Sequence, residues 1–597
     1  MTDVVDVRVE GMGAVVTPDG VGFRLWAPHA DSVAVTGTFN SWQPVSLESE
    51  QNGYWYCFVP EAKAGDEYKY VLTHGDKTFE RIDPYAAQVT NSVGNGVIYD
   101  HAAFDWEDDD FTCPPLNELV IYEMHVGTYG SSEEGEVGDL TEVVARLDHL
   151  VRLGVNAIQI MPVAEFAGDF SWGYNPAHIF AVESAYGGPD ALKSLVKQAH
   201  RRGIAVIQDV VYNHFGPTDL DLWQFDGWSE NDLGGIYFYN DWRSSTPWGD
   251  TRPDYGRGEV RQYIRDNAMM WLTDFHMDGL RWDMTPYIRS VDGGEFNLPD
   301  GWSLSRWINL EIREKFPDKV LIAEDLHSYP AISSTGPEGA AFHAQWDAQF
   351  VHPVREALVV ADDSWRSTTD VARAISYTYG GDSFARVIYT ESHDEVANGH
   401  ARVPQEIDPA DPTGYWAKKR STLGAGLVLT SPGIPMIFQG QEFLEGGWFR
   451  DDVPLDWDLR EEFSGIVRLY RDLVRLRLNR DGRTAGLTGS GLSIFHNNED
   501  ANVLAFQRWR EHGPGDDVVV VVNLSATAFP AYRTGFPAAG NWRLEFESDS
   551  SRYSADFGGH KPHPVTAEEP GEDGLVASAD VVLPPYTVLV FSWDPSR

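Results

Sequence analysis

Between about residues 113 and 480, strand-like apolar runs alternate with stretches of helical periodicity. The runs cover 119–125, 157–162, 205–211, 279–283, 320–324, 341–346, 386–392 and 434–439, eight in all. Antiparallel strands need only a tight turn between them, whereas parallel strands need a crossover, usually a helix. Strands alternating with helices therefore predict a parallel α/β architecture. The first crossover, 140–154, places Leu140, Val143, Val144, Leu147, Leu150 and Val151 on one helical face and stops at Gly154. Stretches 191–202 and 260–275 read the same way. Eight strands with their helices predict a (β/α)8 TIM barrel. A doubly wound open sheet is the alternative, but no glycine-rich phosphate loop follows the first strand.

The barrel is expected over 113–489, with a long insertion at 215–258 after the third strand. Loops of that length in compact domains are usually functional, here as a lid or a subsite wall. On either side the pattern becomes short and alternating, predicting a β-sandwich over 1–112 and another over 490–597. Expected strands are 22–26, 32–36, 54–59 and 67–72 in the first, and 503–507, 518–524, 542–547 and 581–592 in the second. Phe39-Asn40-Ser41-Trp42 and Asp83-Pro84-Tyr85-Ala86 resemble the sandwich module that precedes the barrel in glycogen-branching and debranching enzymes. By that resemblance Trp26 and Trp42 are candidates for stacking on glucan.

Charge narrows the ligand. The net charge is −45, with 46 basic residues of which only 10 are Lys. A nucleic acid or an anionic membrane would be repelled, so neither is expected as a partner. An acidic, Lys-poor surface suits a cytoplasm of high salt, where screening damps self-repulsion. Trp (21) and Tyr (25) lie often beside Gly, Asp and Asn, which suits a neutral sugar ligand. No apolar run approaches membrane-spanning length. Residues 1–6 lack the basic start and apolar core of a signal peptide. With two cysteines only, Cys57 and Cys113, no disulfide framework or cysteine metal site is expected. A cytoplasmic protein is predicted.

Catalytic groups of a TIM barrel lie at the C-terminal strand ends. The third strand ends in Asp209-Val210-Val211-Tyr212-Asn213-His214, the fourth in Arg281-Trp282-Asp283, the fifth in Ala323-Glu324-Asp325 and the seventh in Glu391-Ser392-His393-Asp394-Glu395. Carboxylates on one rim with His, Arg and aromatic neighbours fit glycosidic chemistry. A retaining mechanism needs an ionised carboxylate and a carboxylic acid about 5–5.5 Å apart. Arg281, two residues before Asp283, points to the same side of the strand and favours an ionised Asp283. Glu324, on the next strand, is then the expected acid. Asp394, His393 and His214 are placed to hold sugar hydroxyls. None of these groups sits in a His pair of metal-ligand spacing, and neither a metal nor another cofactor is expected.

These four strand ends resemble the four signature regions of the α-amylase superfamily, glycoside hydrolase family 13, in the family's order. The resemblance implies a retaining enzyme acting on α-glucosidic bonds of glycogen, amylose or maltooligosaccharides. By motif match it implies Asp283 as nucleophile, Glu324 as general acid/base and Asp394 as transition-state stabiliser. Arg281, His393, His214 and Asp209 complete the sugar site, with Trp282 counted among the substrate-binding residues. Tyr174, in Ser171-Trp172-Gly173-Tyr174-Asn175-Pro176, is similar to the family's stacking tyrosine. Asn213 matches a position that helps bind calcium in some amylases.

Within the family the motifs are mixed. Ser392-His393-Asp394-Glu395-Val396, Phe438-Gln439-Gly440-Gln441-Glu442-Phe443 and Pro454-Leu455-Asp456-Trp457 resemble 1,4-α-glucan branching enzymes. Asp209-Val210-Val211-Tyr212-Asn213-His214 is hydrolase-like. His125-Val126-Gly127-Thr128, Ala323-Glu324-Asp325 and Thr246-Pro247-Trp248-Gly249-Asp250 resemble maltooligosyltrehalose trehalohydrolases. Met284 stands where a small residue usually follows the nucleophile. A branching-type transferase is the expected member, with an α-glucan hydrolase such as a trehalohydrolase or α-amylase as the alternative.

Overall fold

The structure, a computed structural model, describes residues 8–131, 133–294 and 296–594. Residues 1–6, read above for a signal peptide, lie outside the described residues. The eight expected runs form eight strands: β1 (Ile121–Met124), β2 (Ala157–Ile160), β3 (Ala205–Val210), β4 (Gly279–Trp282), β5 (Val320–Ala323), β6 (Ala344–Trp346), β7 (Arg386–Ile388) and β8 (Ile434–Phe438). They follow one another in order around a closed barrel, parallel throughout, with β8 pairing back onto β1.

The period-2 alternation of a strand divides each β element between two environments. Ile121, Ala157, Ala205, Ile207, Val320, Ile322, Ala344, Val387, Ile434 and Met436 pack together as the barrel interior. Tyr122, Ile158, Val206, Leu280, Trp282, Leu321 and Ala323 point the other way, into the layer shared with the helices. Both faces are buried, so the strands read as nearly unbroken apolar runs rather than alternating ones.

Helix α1 (Leu140–Leu153) begins at a capping box in which the Asp139 side chain and the Glu142 amide are paired, and it ends at Gly154 with φ +93°. A left-handed C-cap is what glycine supplies without a Cβ penalty. Leu140, Val143, Leu147 and Leu150 are buried as expected, but Val151 is exposed because it lies at the margin of the apolar stripe. Helices α2 (Gly188–His200) and α3 (Gly258–Thr273) begin two to three residues earlier than the periodicity indicated. Helix α4 (Ser464–Arg477) follows β8 and packs on α1.

A hairpin of Ala164–Phe166 with Pro176–Val182, unforeseen from the sequence, rises after β2 and carries Tyr174 in its loop. The insertion after β3 holds the N-terminal sandwich as well as walling the cleft. His29 Nδ1 lies 3.0 Å from Asp226 Oδ2, Arg81 Nε donates to the Phe225 carbonyl at 3.0 Å, and Trp26 meets Tyr237 edge to face. Trp26 is therefore buried at this junction and has no free face for glucan, which corrects its expected role, whereas Trp42 is exposed.

The N-terminal unit has two antiparallel sheets containing the four expected strands, as Gly20–Trp26, Ser32–Gly37, Tyr54–Val59 and Glu67–His74. The C-terminal unit pairs a six-stranded sheet with a two-stranded one. There the single strand expected at 581–592 is two, Ala577–Leu583 and Thr587–Trp593, because Pro584 and Pro585 cannot donate to a ladder. The two cysteines are unpaired, and burial pushes the Cys57 thiol up to about 12. No helix among the described residues is long and apolar enough to cross a membrane.

Candidate active site

Ladder register sets which side chains enter the rim. Asp209 pairs with Arg281, and Arg281 with the interior residue Ile322, so Asp209 and Arg281 face inward. Glu123 on β1 is brought inward in the same way by Gln159 and Ile207. Above the apolar interior the inward row thus becomes charged: Glu123, Asp209, Arg281, then Asp283 and Glu324 just past their strands.

Arg281 is the centre of this layer. Its Nη1 donates to both Asp209 oxygens at 2.9 and 2.8 Å and to Asp283 Oδ1 at 3.1 Å. Its Nη2 lies 2.8 Å from Glu324 Oε2, an ion pair without hydrogen-bond alignment. The guanidinium packs over the Trp346 ring at 4.4 Å. All four charged side chains are at least nine-tenths buried. Burying charge is costly unless it is paired, and here one cation faces three carboxylates. Burial lifts the Asp209 carboxyl to about 6, against the opposing pull of Arg281 and the Tyr174 hydroxyl.

This shared cation corrects one expectation. Arg281 was to favour an ionised Asp283 and leave Glu324 as the less stabilised group, yet it approaches Glu324 as closely as Asp283. Burial first, then the Glu324 charge, raise the Asp283 carboxyl well above its ordinary range, and Arg281 only partly offsets them. The Asp283 and Glu324 carboxyls thus face one guanidinium from neighbouring strands. The difference between the two carboxyls comes from their other contacts.

Those contacts fall on Glu324. The Met284 amide donates to Glu324 Oε2 at 2.9 Å, and the Thr285 amide and hydroxyl both donate to the Glu324 carbonyl at 2.9 Å. Next to it, Asp325 is fixed by Arg289 through bonds of 2.9 and 3.1 Å. The segment following Asp283 therefore positions Glu324. Met284 takes φ +36° to do so, a conformation that residues with a Cβ rarely adopt.

The remaining predicted residues surround this pair, with one exception. Tyr174 donates to Asp209 Oδ2 at 2.8 Å and stacks on His393 at 5.1 Å. His393 Nδ1 lies 2.7 Å from Glu123 Oε1. Burial pushes the imidazole down, but the Glu123 charge and hydrogen bond outweigh it, leaving His393 raised. Asp394 accepts from Asn398 Nδ2 at 2.7 Å, and burial raises its carboxyl. His214, lowered to about 4 by burial, has Nε2 2.8 Å from the Tyr174 carbonyl and stacks under the exposed Trp248 at 4.7 Å. Trp282 is the exception. Its parity sends it outward between Tyr212 and Phe342, away from any sugar. Asn213 is buried with both amide atoms unpartnered. No group of three or more His, Cys, Asp or Glu that could hold a metal ion forms among the described residues.

Glu123, Trp346 and the Met284 amide were not anticipated. Glu123 did leave a signal, as a lone carboxylate inside the apolar run Val120-Ile121-Tyr122-Glu123-Met124.

Three regions of the chain match known protein families. Residues 11–86 match carbohydrate-binding module 48 (isoamylase N-terminal domain), 124–243 the alpha amylase catalytic domain and 494–594 the alpha amylase C-terminal all-beta domain. The chain is 30% identical to the 1,4-alpha-glucan branching enzyme GlgB of Vibrio cholerae, over 98% of this chain and 82% of that protein. It is also 30% identical to the GlgB of Salinibacter ruber, over 97% and 96%. Among solved structures, a putative alpha amylase from Salmonella typhimurium superposes with TM-score 0.74 at 23% identity, over 98% of this chain and 100% of that one. Pullulanase type I from Bacillus subtilis, complexed with maltose, gives 0.76 at 21%, over 99% and 86%. These two likenesses concern the fold.

Proposed function

The chain belongs to the family of 1,4-alpha-glucan branching enzymes in the α-amylase superfamily, and on that premise we propose that it cleaves α-1,4-glucosidic bonds with retention and transfers the released chain to a 6-hydroxyl. The observation that carries the retaining chemistry is the Asp283–Glu324 pair. The two carboxyls share one guanidinium, at 3.1 Å from Asp283 and 2.8 Å from Glu324. An inverting pair stands about 6.5–9.5 Å apart to admit a water, whereas a retaining pair is closer.

In the first step Asp283 attacks the anomeric carbon, and Glu324 gives its proton to the departing glucosidic oxygen. The products are a glycosyl-enzyme ester and a shortened glucan. In the second step Glu324, now ionised, takes the proton of an acceptor 6-hydroxyl. That oxygen displaces Asp283 and forms the α-1,6 bond. Asp394, His393 and His214 hold sugar hydroxyls, Tyr174 stacks under the sugar, and Arg281 with Asp209 keeps the nucleophile in place. Met284 and Thr285 orient Glu324 for both proton transfers.

The substrate is glycogen, amylose or a maltooligosaccharide, a neutral polymer that a chain of net charge −45 does not repel. We place the reaction in the cytoplasm, where the two unpaired thiols fit a reducing environment. Incubation with amylose tests the reading. Falling iodine colour and new α-1,6 linkages with little new reducing sugar are expected. A steady rise in reducing ends, or free trehalose from maltooligosyltrehalose, would replace transfer with hydrolysis.

A further inference from the structure

A groove of about 290 Å³ lies on the outer wall of the barrel, between α1, the short helix Leu459–Glu462 and α4. Its lining includes Arg152, Arg460, Arg468 and Arg471, with Glu461 as the only carboxylate. The chain as a whole has 91 acidic residues against 46 basic ones, so four guanidiniums facing one carboxylate reverse the prevailing sign.

These arginines are weakly engaged. Arg152 donates to no group among the described residues. Arg460 pairs at 2.9 Å with Glu461, which is itself largely exposed. Arg468 donates one bond, to the Arg552 carbonyl at 3.1 Å. Arg471 meets Asp472 only at 3.4 Å, and the other Asp472 oxygen is already taken by Arg552 and Tyr553. Each guanidinium has five N–H donors and no acceptor, so most of the donors in the groove are unused. Like charges gathered in this way repel one another, and a bound anion would relieve the repulsion.

We propose that this groove binds a phosphate-bearing small molecule. A phosphate offers more than one negative charge and several acceptor oxygens, matching guanidinium forks that bind in bidentate fashion. A carboxylate would leave most of the charge unanswered. A long polyanion would reach beyond the groove onto the acidic surface, whereas a small one stays within the screening length of about 8–10 Å.

Isothermal titration of the full chain with sodium pyrophosphate, at ionic strength held constant with sodium chloride, tests this. One saturable site per chain is expected. Arg152→Gln, which breaks no hydrogen bond or ion pair among the described residues, and Arg152→Gln combined with Arg468→Gln should weaken binding at least tenfold. Arg373→Gln, an exposed arginine elsewhere, should not change it, and amylose branching without pyrophosphate should be unaltered in all three. The proposal is overturned by absence of saturable binding, or by equal weakening in Arg373→Gln. It is also overturned by a dimer that Arg152→Gln dissolves while no pyrophosphate binds, which would make the groove a contact for a second acidic copy.

Discussion

Glu123 Oε1 lies 2.7 Å from His393 Nδ1, and Glu123 Oε2 accepts the His393 amide at 3.0 Å. A single carboxylate on β1 thus fixes both the ring and the backbone of a sugar-site residue following β7. Glu123→Gln keeps the shape but removes the charge that holds the imidazole raised. Hydrogen bonds to charged groups contribute about 1.5–3 kcal/mol, so kcat/KM on amylose should fall about 10- to 100-fold with the fold intact. Because the folded histidine is raised, its contribution to stability is complete below its unfolded pKa and is lost as pH rises through the folded one. The stability gap between wild type and Glu123→Gln should therefore narrow with rising pH in denaturant titrations. A gap that widens would contradict a charged His393.

The barrel and most of its rim were legible in the sequence for one reason. Parallel strands covered on both faces are apolar along their length, so polar groups at their ends stand out. Strand parity then brings Asp209, Arg281, Asp283 and Glu324 to one side, and the same parity excludes Trp282, which shared a motif with them but not a face. What was not legible is pairing across sequence distance. Nothing local to Glu123 points to His393, 270 residues on. Nor does the sequence disclose that one guanidinium serves three carboxylates, or that Met284 adopts a positive φ.

The Asp283–Glu324 pair yields the most direct prediction. Glu324→Gln should lower kcat about 10²- to 10⁴-fold, the usual contribution of general acid–base catalysis. Asp283→Asn should lose at least as much, because an amide cannot form the glycosyl-enzyme ester. Replacing Asp283 also removes one of three crowded buried carboxylates, so its melting temperature should equal or exceed that of wild type. Near-normal turnover in either variant, measured by branch formation, would reassign the catalytic pair.

Asp209 adds to the negative field that raises Asp283 and occupies much of Arg281. Asp209→Asn removes that field and frees the cation for Asp283 and Glu324. Both changes favour the ionised form of Asp283, so its carboxyl should lose its proton at lower pH. The acidic limb of the residual kcat/KM profile, where the nucleophile must ionise, should shift to lower pH than in wild type. An unmoved limb would mean that another group controls it.

Asp83 provides a stability test remote from the rim. It is buried, accepts from the Tyr68 hydroxyl at 2.8 Å and the Tyr85 amide at 2.9 Å, and burial raises its carboxyl to about 6. A folded pKa above the unfolded value means that the native state holds the proton more tightly. Its contribution is therefore present below about pH 4 and is lost as pH rises through about 6. The loss is about 3 kcal/mol for a shift of roughly two units. Asp83→Asn cannot titrate. The wild-type minus Asp83→Asn difference in unfolding free energy should fall across this window, and a constant difference would remove Asp83 as its source.

Met284 separates what the backbone does from what the side chain does. Its amide donates to Glu324 at 2.9 Å from a φ of +36°, a conformation that costs a residue bearing a Cβ about 1–3 kcal/mol and glycine very little. Met284→Gly retains the N–H and relieves that strain, so the melting temperature should hold or rise. The overall rate of glycosyl-enzyme formation should stay within about threefold of wild type. The half-buried thioether, one residue past the nucleophile, is lost in the same change. With less apolar cover beside the ester, water should compete better with the sugar acceptor, and new reducing ends per α-1,6 linkage should increase. An unchanged ratio would take Met284 out of acceptor selection. A rate loss as large as that of Glu324→Gln would show that the side chain, and not only the amide, holds the acid in place.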